Sequence, residues 1–301
     1  MAGSTTRWAQ LFQHENTLSF QEAHVNFFKY MKGVPLEVVY DNMKVAVKRI
    51  AGDKHPTQGL LNLMNHYHFT HRYCNIRRGN EKGHVERSVE VLRRKAFSLN
   101  HNFESLEQAN KHLHNCFERL NSLEANKEAF KKEKQALLSF DYDYQCSTLT
   151  MAKVDKLSTI CFEQVHYSVP DSLTGKVVEV RIFSDKIIVY YNKKEVCIQE
   201  RKYKAGWSMD LNHYLKTLSN KPGAFNGSMA LKQAPERLRE IYQRHFSKDT
   251  KEFIELLQYL KIINLDYTDL FKTIDKLKKQ NINHLSVQLI RSYIENRNIN
   301  Q

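Results

Sequence analysis

Within residues 19–40 a helix, a tight turn and a short β-branched run follow one another, and this succession constrains the fold more than any other feature of the chain. Ser19 and Glu22 have the spacing of a capping box, which predicts a helix start. Phe20, Ala23, Val25, Phe27, Phe28 and Met31 then give that helix a broad apolar side. Gly33 is the expected C-cap and Pro35 lies just beyond it. The run LEVVY, residues 36–40, predicts a strand buried under packed helices. Helix, turn and strand in this order are the grammar of an α/β layer.

Further along, residues 57–68 read as a helix and HFTHRYCNI as a short strand. A helix is expected over about 82–98, with Val85, Val89, Leu92, Ala96 and Leu99 as its stripe. A second long helix, free of Pro and Gly, is expected over about 105–138 as a bridge or strut. The character changes after residue 140. LSTICFEQVHYSVP, GKVVEVRIF, KIIVYY and EVCIQER are four candidate strands, with Asp171, Gly175, Asp185 and Asn192 where turns belong. That spacing predicts a small all-β, barrel-like module or a half-open sheet. From 208 on the pattern is helical, with Asp249 and Glu252 as a capping box and Asn220–Ser228 as a linker. The expected organisation is a core over 1–100, a helical connector over 101–140, the β-module over 141–206 and a helical extension over 207–301.

Composition narrows the function. Lys and Arg number 46 against 33 Asp and Glu, a formal charge of +13, which favours a polyanionic partner. Hydrophobic residues at 41% are enough to build cores, which argues against wholesale disorder. The five cysteines show no close pairing, against a disulfide scaffold or a four-cysteine zinc module. No window approaches 18 apolar residues, and Met1–Gln10 lacks the apolar core of a signal peptide, so a cytoplasmic protein is expected.

Asp41 directly follows the predicted strand. Strand ends in open α/β sheets collect ligands, and an acid there can hold Mg²⁺; Asp-Asn is equally a turn former. Glu86 lies early in the expected 82–98 helix, sharing a face with Lys82 and Glu90 at spacings of four. If that face looks at Asp41, two carboxylates could share divalent ions; otherwise it is a solvated face with i,i+4 charge pairs. Val85 and Val89 would anchor the opposite side. Residues 70–100 hold eight bases against three acids, among them Arg77, Arg78, Lys82, Arg87 and Arg94. They are candidate phosphate contacts or, again, a solvated face. The β-module adds Lys186, Lys193 and Lys194, interleaved with Tyr190 and Tyr191. His66, His68, His71 and Cys74 crowd together but do not read as four convergent zinc ligands.

GVPLEVVYDNMKVAV (33–47) followed by NEKGHVERSVEVLR (80–93) resembles the IstA-type transposases of bacterial insertion sequences, within the DDE transposase and retroviral-integrase-like superfamily. FQEAH (20–24), KVDKLSTICFEQVHYSVP (153–170), GKVVEV and IIVYYNKKEV extend the likeness over about residues 7–245. The resemblance implies an α/β ribonuclease-H-like integrase core, with Asp41 as the second catalytic aspartate and Glu86 as the catalytic glutamate. It implies DNA strand transfer with Mg²⁺ or Mn²⁺ held by Asp41 and Glu86, acting on transposon ends and target DNA. It also implies an ATP-binding helper protein and a homo-oligomer as partners. The family pattern has a first aspartate upstream, whereas residues 1–40 contain no Asp. The family's upstream helix-turn-helix DNA-binding region has no match here either. The expectation is therefore an N-terminally truncated portion of a longer transposase, catalytically incomplete by itself. The alternative is a non-catalytic DNA-binding or partner-binding protein that modulates a full-length enzyme.

Overall fold

The computed structural model describes residues 6–74, 89–280, 282 and 285–299. They form a mixed α/β protein of two compact units, Met1–Ser147 and Thr148–Gln301. No helix among the described residues is long and apolar enough to cross a membrane.

The first unit opens with α1 (Thr17–Met31), capped by Asn16, whose Oδ1 accepts the Ser19 amide at 3.0 Å. The expected cap, Ser19, is thus the residue whose amide is capped, because a side-chain oxygen one turn earlier reaches it first. Lys32, not Gly33, takes the left-handed position at the C-terminus, with φ 56°. Gly33 is needed for closeness instead: a Cβ there would sit 2.7 Å from Leu137 Cβ. Four short strands and a helix follow: β1 (Glu37–Tyr40), β2 (Val47–Ile50), β3 (Asp53–Pro56), α2 (Gln58–Tyr67) and β4 (Thr70–Tyr73). β1 and β4 are parallel, with Glu37 opposite Thr70 and Tyr40 opposite Tyr73. β2 and β3 form a separate antiparallel hairpin.

The strand at 36–40 is less buried than its composition predicts: Leu36 is 59% and Val39 38% exposed, and only Tyr40 is buried. Among the described residues β4 is its sole neighbour in the sheet, so no second layer closes over that side. Phe20, Val25, Phe28, Leu60, Leu63, Tyr67 and Phe69 make the core beneath, with Phe28 edge-on to both Tyr67 and Phe69.

Residues 89–97 form the described part of α3, followed by α4 (Leu106–Asn121) and α5 (Glu124–Lys134). The single helix expected over 105–138 is therefore two. Ser122 turns its hydroxyl onto the Arg119 carbonyl, 2.8 Å away, and Leu123 is extended. Nor is this region a bare strut, since Leu113 and Phe117 pack with Leu92 and Ala96 in a second small core. The predicted stripe is only partly used: Val89 is 52% and Leu99 98% exposed. Val89 thus anchors nothing, and Val85 lies outside the described residues.

The second unit begins with seven strands: β5 (Thr148–Lys153), β6 (Thr159–Phe162), β7 (Val165–Ser168), β8 (Val177–Ile182), β9 (Lys186–Tyr191), β10 (Lys194–Glu200) and β11 (Gly206–Ser208). They form a four-stranded antiparallel sheet, β10-β9-β8-β5, and a three-stranded sheet, β11-β7-β6. The two sheets are not joined edge to edge into a closed barrel. Side chains tie them instead: Gln199 of β10 donates to the Ser168 carbonyl of β7, and Ser208 of β11 donates to Gln199 at 2.9 Å. Arg201, 5% exposed, donates to the Phe183 carbonyl at 2.8 Å and to Glu163 at 2.9 Å. Asn192 and Lys193 both have positive φ, which makes the β9–β10 connection the tight two-residue turn that matches strand twist.

After β11 come α6 (Leu215–Asn220), α7 (Met229–Gln233), α8 (Glu236–Ile241), α9 (Thr250–Ile262), α10 (Tyr267–Lys279) and α11 (Val287–Ile299). The expected linker over 220–228 is part of this bundle. Phe225 is fully buried against Tyr242 and Phe253, so an apolar anchor overrides the Pro and Gly signals. Asp249 caps α9 through the Glu252 amide at 3.0 Å, but the Glu252 carboxylate turns to the Val287 amide instead of closing the box. The reciprocal box occurs at Asp266 and Asp269, at the start of α10.

Candidate functional site

The first-unit site is built at the carboxyl ends of β1 and β4. Tyr40 is the last residue of β1, and its carbonyl accepts the Cys74 amide at 2.9 Å, so Asp41 and the end of β4 are neighbours. From Cys74 the chain enters the stretch that carries Glu86, Arg77, Arg78, Lys82 and Arg87, and these five residues lie outside the described ones. Asp41 is partly exposed, and its Oδ1 accepts the amide of Asn42 at 2.7 Å. The turn read from the sequence is present, but the backbone closes it: the Met43 amide bonds the Asp41 carbonyl at 2.8 Å, while the carboxylate reaches only the next amide. One amide does not saturate a carboxylate, which offers about four lone-pair directions. Asp41 therefore fits one hard-oxygen contact to a divalent cation. No group of three His, Cys, Asp or Glu side chains gathers among the described residues.

Beneath Asp41 lies a hydrogen-bonded pair that sequence reading missed. His24 of α1 has Nδ1 2.7 Å from the Phe20 carbonyl and Nε2 2.8 Å from the Tyr40 hydroxyl. A carbonyl only accepts, so Nδ1 carries the proton and Nε2 accepts from Tyr40. Burial lowers the His24 pKa, partly opposed by the Phe20 carbonyl. Burial, with Tyr73 nearby, raises that of Tyr40, so both stay neutral. The pair fastens the last residue of β1 to α1 and fixes the base on which Asp41 stands.

The β2–β3 hairpin was also missed. Lys48 stands opposite His55 and Arg49 opposite Lys54. The Lys54 amine lies 3.4 Å from the Cys74 carbonyl and 5.8 Å over the Tyr73 ring, which brings this basic hairpin to the same strand end as Asp41. Lys48 and Arg49, adjacent on β2, point to opposite faces of the hairpin, and exposed Lys44 lies three residues after Asp41 in the chain. The signal was present in VKRIAGDKHP, where Ala51-Gly52 makes the turn with φ of 50° and 94°. Its strands lack the apolar alternation that marks most hairpins.

The other predicted contacts are dispersed. Arg94 is exposed on α3. In the second unit Lys193 and Lys194 are exposed at the tip of the β9–β10 hairpin, whereas Lys186 starts β9 and lies 5.5 Å over the Phe183 ring. The five rises of β9 from Lys186 to Tyr191 separate them, about 17 Å at roughly 3.3 Å per residue. They are therefore two positive points on one hairpin, not one cluster.

Ser168, His213 and Asp210 imitate a nucleophilic triad, with Ser168 Oγ 2.8 Å from His213 Nδ1 and His213 Nε2 3.9 Å from Asp210. Ser168 is fully buried, and its Oγ already accepts the Asp210 amide at 2.8 Å. Burial lowers the His213 pKa against the pull of Asp210. The three clamp β7 to the start of the helical bundle.

Comparison with known proteins places this geometry in context. Residues 141–209 match the family described as Mu transposase, C-terminal domain. The chain is 26% identical over 245 residues to the transposase for insertion sequences IS1326/IS1353 of Pseudomonas aeruginosa, covering 76% of this chain and 48% of that protein. It is 26% identical over 253 residues to a transposase of Aminobacter aminovorans, covering 78% and 50%. It is 31% identical over 204 residues to the transposase for insertion sequence element IS21 of Pseudomonas aeruginosa, covering 64% and 52%. The chain spans about half the length of the curated relatives it matches. The chain is thus similar to transposases of bacterial insertion sequences, those of IS1326/IS1353 and IS21 among them.

Proposed function

We propose that this chain acts in DNA transposition, within a ribonuclease-H-like integrase core that supplies Asp41 and Glu86 to hold Mg²⁺ or Mn²⁺. The observation that carries the reading is Asp41 at the carboxyl end of a parallel strand pair, with the Lys54 amine on the Cys74 carbonyl at the same strand end, in a relative of transposases. The bound ions would supply activation of the attacking oxygen and stabilisation of the leaving one. The chain's own part is to hold the acid on a fixed strand end, through His24 and Tyr40, and to draw the phosphodiester backbone to it by charge. Arg77, Arg78, Lys82, Arg87 and Arg94 would extend the DNA track in this unit, and Lys186, Lys193 and Lys194 would form a second one on the β-module. The partners are transposon-end DNA, target DNA, an ATP-binding transposition helper and a second copy, in the cytoplasm of a bacterium. The sequence from 1 to 40 has no Asp, so the carboxylate set is incomplete within this chain.

The runner-up, a DNA-binding modulator without catalysis, shares the basic β2–β3 hairpin but needs no metal. Labelled insertion-sequence end DNA and target DNA, mixed with the protein and Mn²⁺ beside an Asp41→Ala control, separate the two readings. Metal-dependent joining that Asp41→Ala abolishes supports catalysis and overturns the incompleteness of the site. Salt-sensitive DNA binding that Mn²⁺ enhances only when Asp41 is present supports the proposed role. Binding indifferent to metal and to Asp41 supports the modulator.

A further inference from the structure

We propose that β5 is a self-complementary edge through which two copies of this chain join their four-stranded sheets. The sheet has two edges, β10 and β5, and they are built differently. β10 carries the protection usual for an exposed edge: Lys194, Glu195 and Glu200, with a register break between Glu195 and Cys197. β5, TLTMAK, runs regularly against β8 from Thr148 to Lys153, without proline or bulge and with no charge before its last residue. No strand lies on its outer side among the described residues.

The direction of the free backbone groups follows from the next residue. Val154 gives both its N–H and its C=O toward β8, to Lys176 at 2.8 Å and from Gly175 at 3.0 Å. Alternation along the strand then aims the N–H and C=O of Leu149, Met151 and Lys153 at the open edge. The side chains of Leu149 and Met151 share one sheet face and are 57% and 63% exposed. A two-fold axis through Thr150 satisfies both facts at once. It sets Leu149 opposite Met151 of the second copy as a hydrogen-bonded pair, and Met151 opposite Leu149 likewise. Each pair exchanges two backbone hydrogen bonds and covers two exposed apolar side chains. Lys153 falls opposite Ser147, so no like charges meet. The same face continues inward through Arg181, Ile188 and the 51%-exposed Ile198, giving the joined sheets one mixed apolar surface. The geometry of such a contact is isologous and closes at two copies.

Thr150 would then face its own counterpart in a non-hydrogen-bonded pair, with Cα atoms about 4.5 Å apart, within disulfide range. The test uses the full chain. Light scattering is expected to give twice the 35.5 kDa chain mass for the wild type and once that mass for Leu149→Lys/Met151→Lys, whose circular dichroism stays native. Under mild oxidation Thr150→Cys should form a covalent dimer beyond the wild-type background, and Thr148→Cys, which faces Ala152, should not. A monomeric wild type overturns the proposal. So does a double-lysine variant that remains dimeric, or a folded Thr150→Cys that cross-links no more than Thr148→Cys.

Discussion

Acidification should loosen the first unit through His24, and the size of the effect follows from its surroundings. The imidazole is enclosed by Phe20, Phe28 and Tyr40, with both nitrogens engaged. A second proton on Nε2 would confront the Tyr40 hydroxyl hydrogen in an apolar cage. Folding therefore depresses the pKa below the ordinary 6.5. The sign is fixed by linkage. Above 6.5 both states are neutral and the full stability is present; as pH falls below 6.5 the unfolded chain binds a proton that the folded unit refuses. Stability is lost at up to about 1.4 kcal/mol per pH unit until the folded pKa is reached. The chain has two tryptophans, Trp8 in the first unit and Trp207 in the second, so Trp207→Phe leaves Trp8 as reporter of this unit alone. Urea titrations followed by Trp8 fluorescence at a series of pH values should show the midpoint falling below pH 6.5 in the His24 protein. They should show a shallower fall in His24→Gln, which can still donate and accept. Parallel slopes in the two proteins would mean that His24 is not the group that destabilises the unit in acid.

Other substitutions probe different links. Gly33→Ala should destabilise the first unit by about 1–3 kcal/mol in the same titration, because its Cβ would meet the Leu137 side chain, which must shift. Arg201→Lys should cost the second unit about 2–3 kcal/mol, read through Trp207. A lysine cannot serve Phe183 and Glu163 together or stack on Tyr203, 4.6 Å away. Replacing Lys48, Arg49 and Lys54 together by alanine should weaken DNA binding. The slope of log affinity against log salt should become shallower by about 0.9 for each phosphate that is no longer neutralised, read from fluorescence anisotropy across a salt series.

The elements legible in the sequence were those with strong periodicity and punctuation. α1, α2, the strand at LEVVY and the run from KVVEV to EVCIQER emerged with nearly their observed limits. What escaped had physical reasons. Asn16 and Lys32 displaced the expected caps by a few residues, since several polar side chains near a helix end can serve. β2 and β3 are basic rather than alternating, and β5 and β11 are short or weakly apolar. The two-sheet arrangement depends on Gln199, Ser208 and Arg201 reaching across space, which no local pattern reveals. At the candidate site, Asp41 was legible from its place after a strand. The His24–Tyr40 bond beneath it was not, because α1 and β1 meet only once the chain has folded.

Asp41 and Glu86 are proposed to hold a divalent cation together, and Mn²⁺ itself is the sharpest probe of that. Electron paramagnetic resonance of free Mn²⁺, titrated with the protein in the presence of insertion-sequence end DNA, reads binding without requiring turnover. Wild-type protein is expected to deplete the free signal, and Asp41→Ala and Glu86→Ala are each expected to abolish the depletion while DNA binding remains. Equal depletion by all three proteins would contradict that proposal.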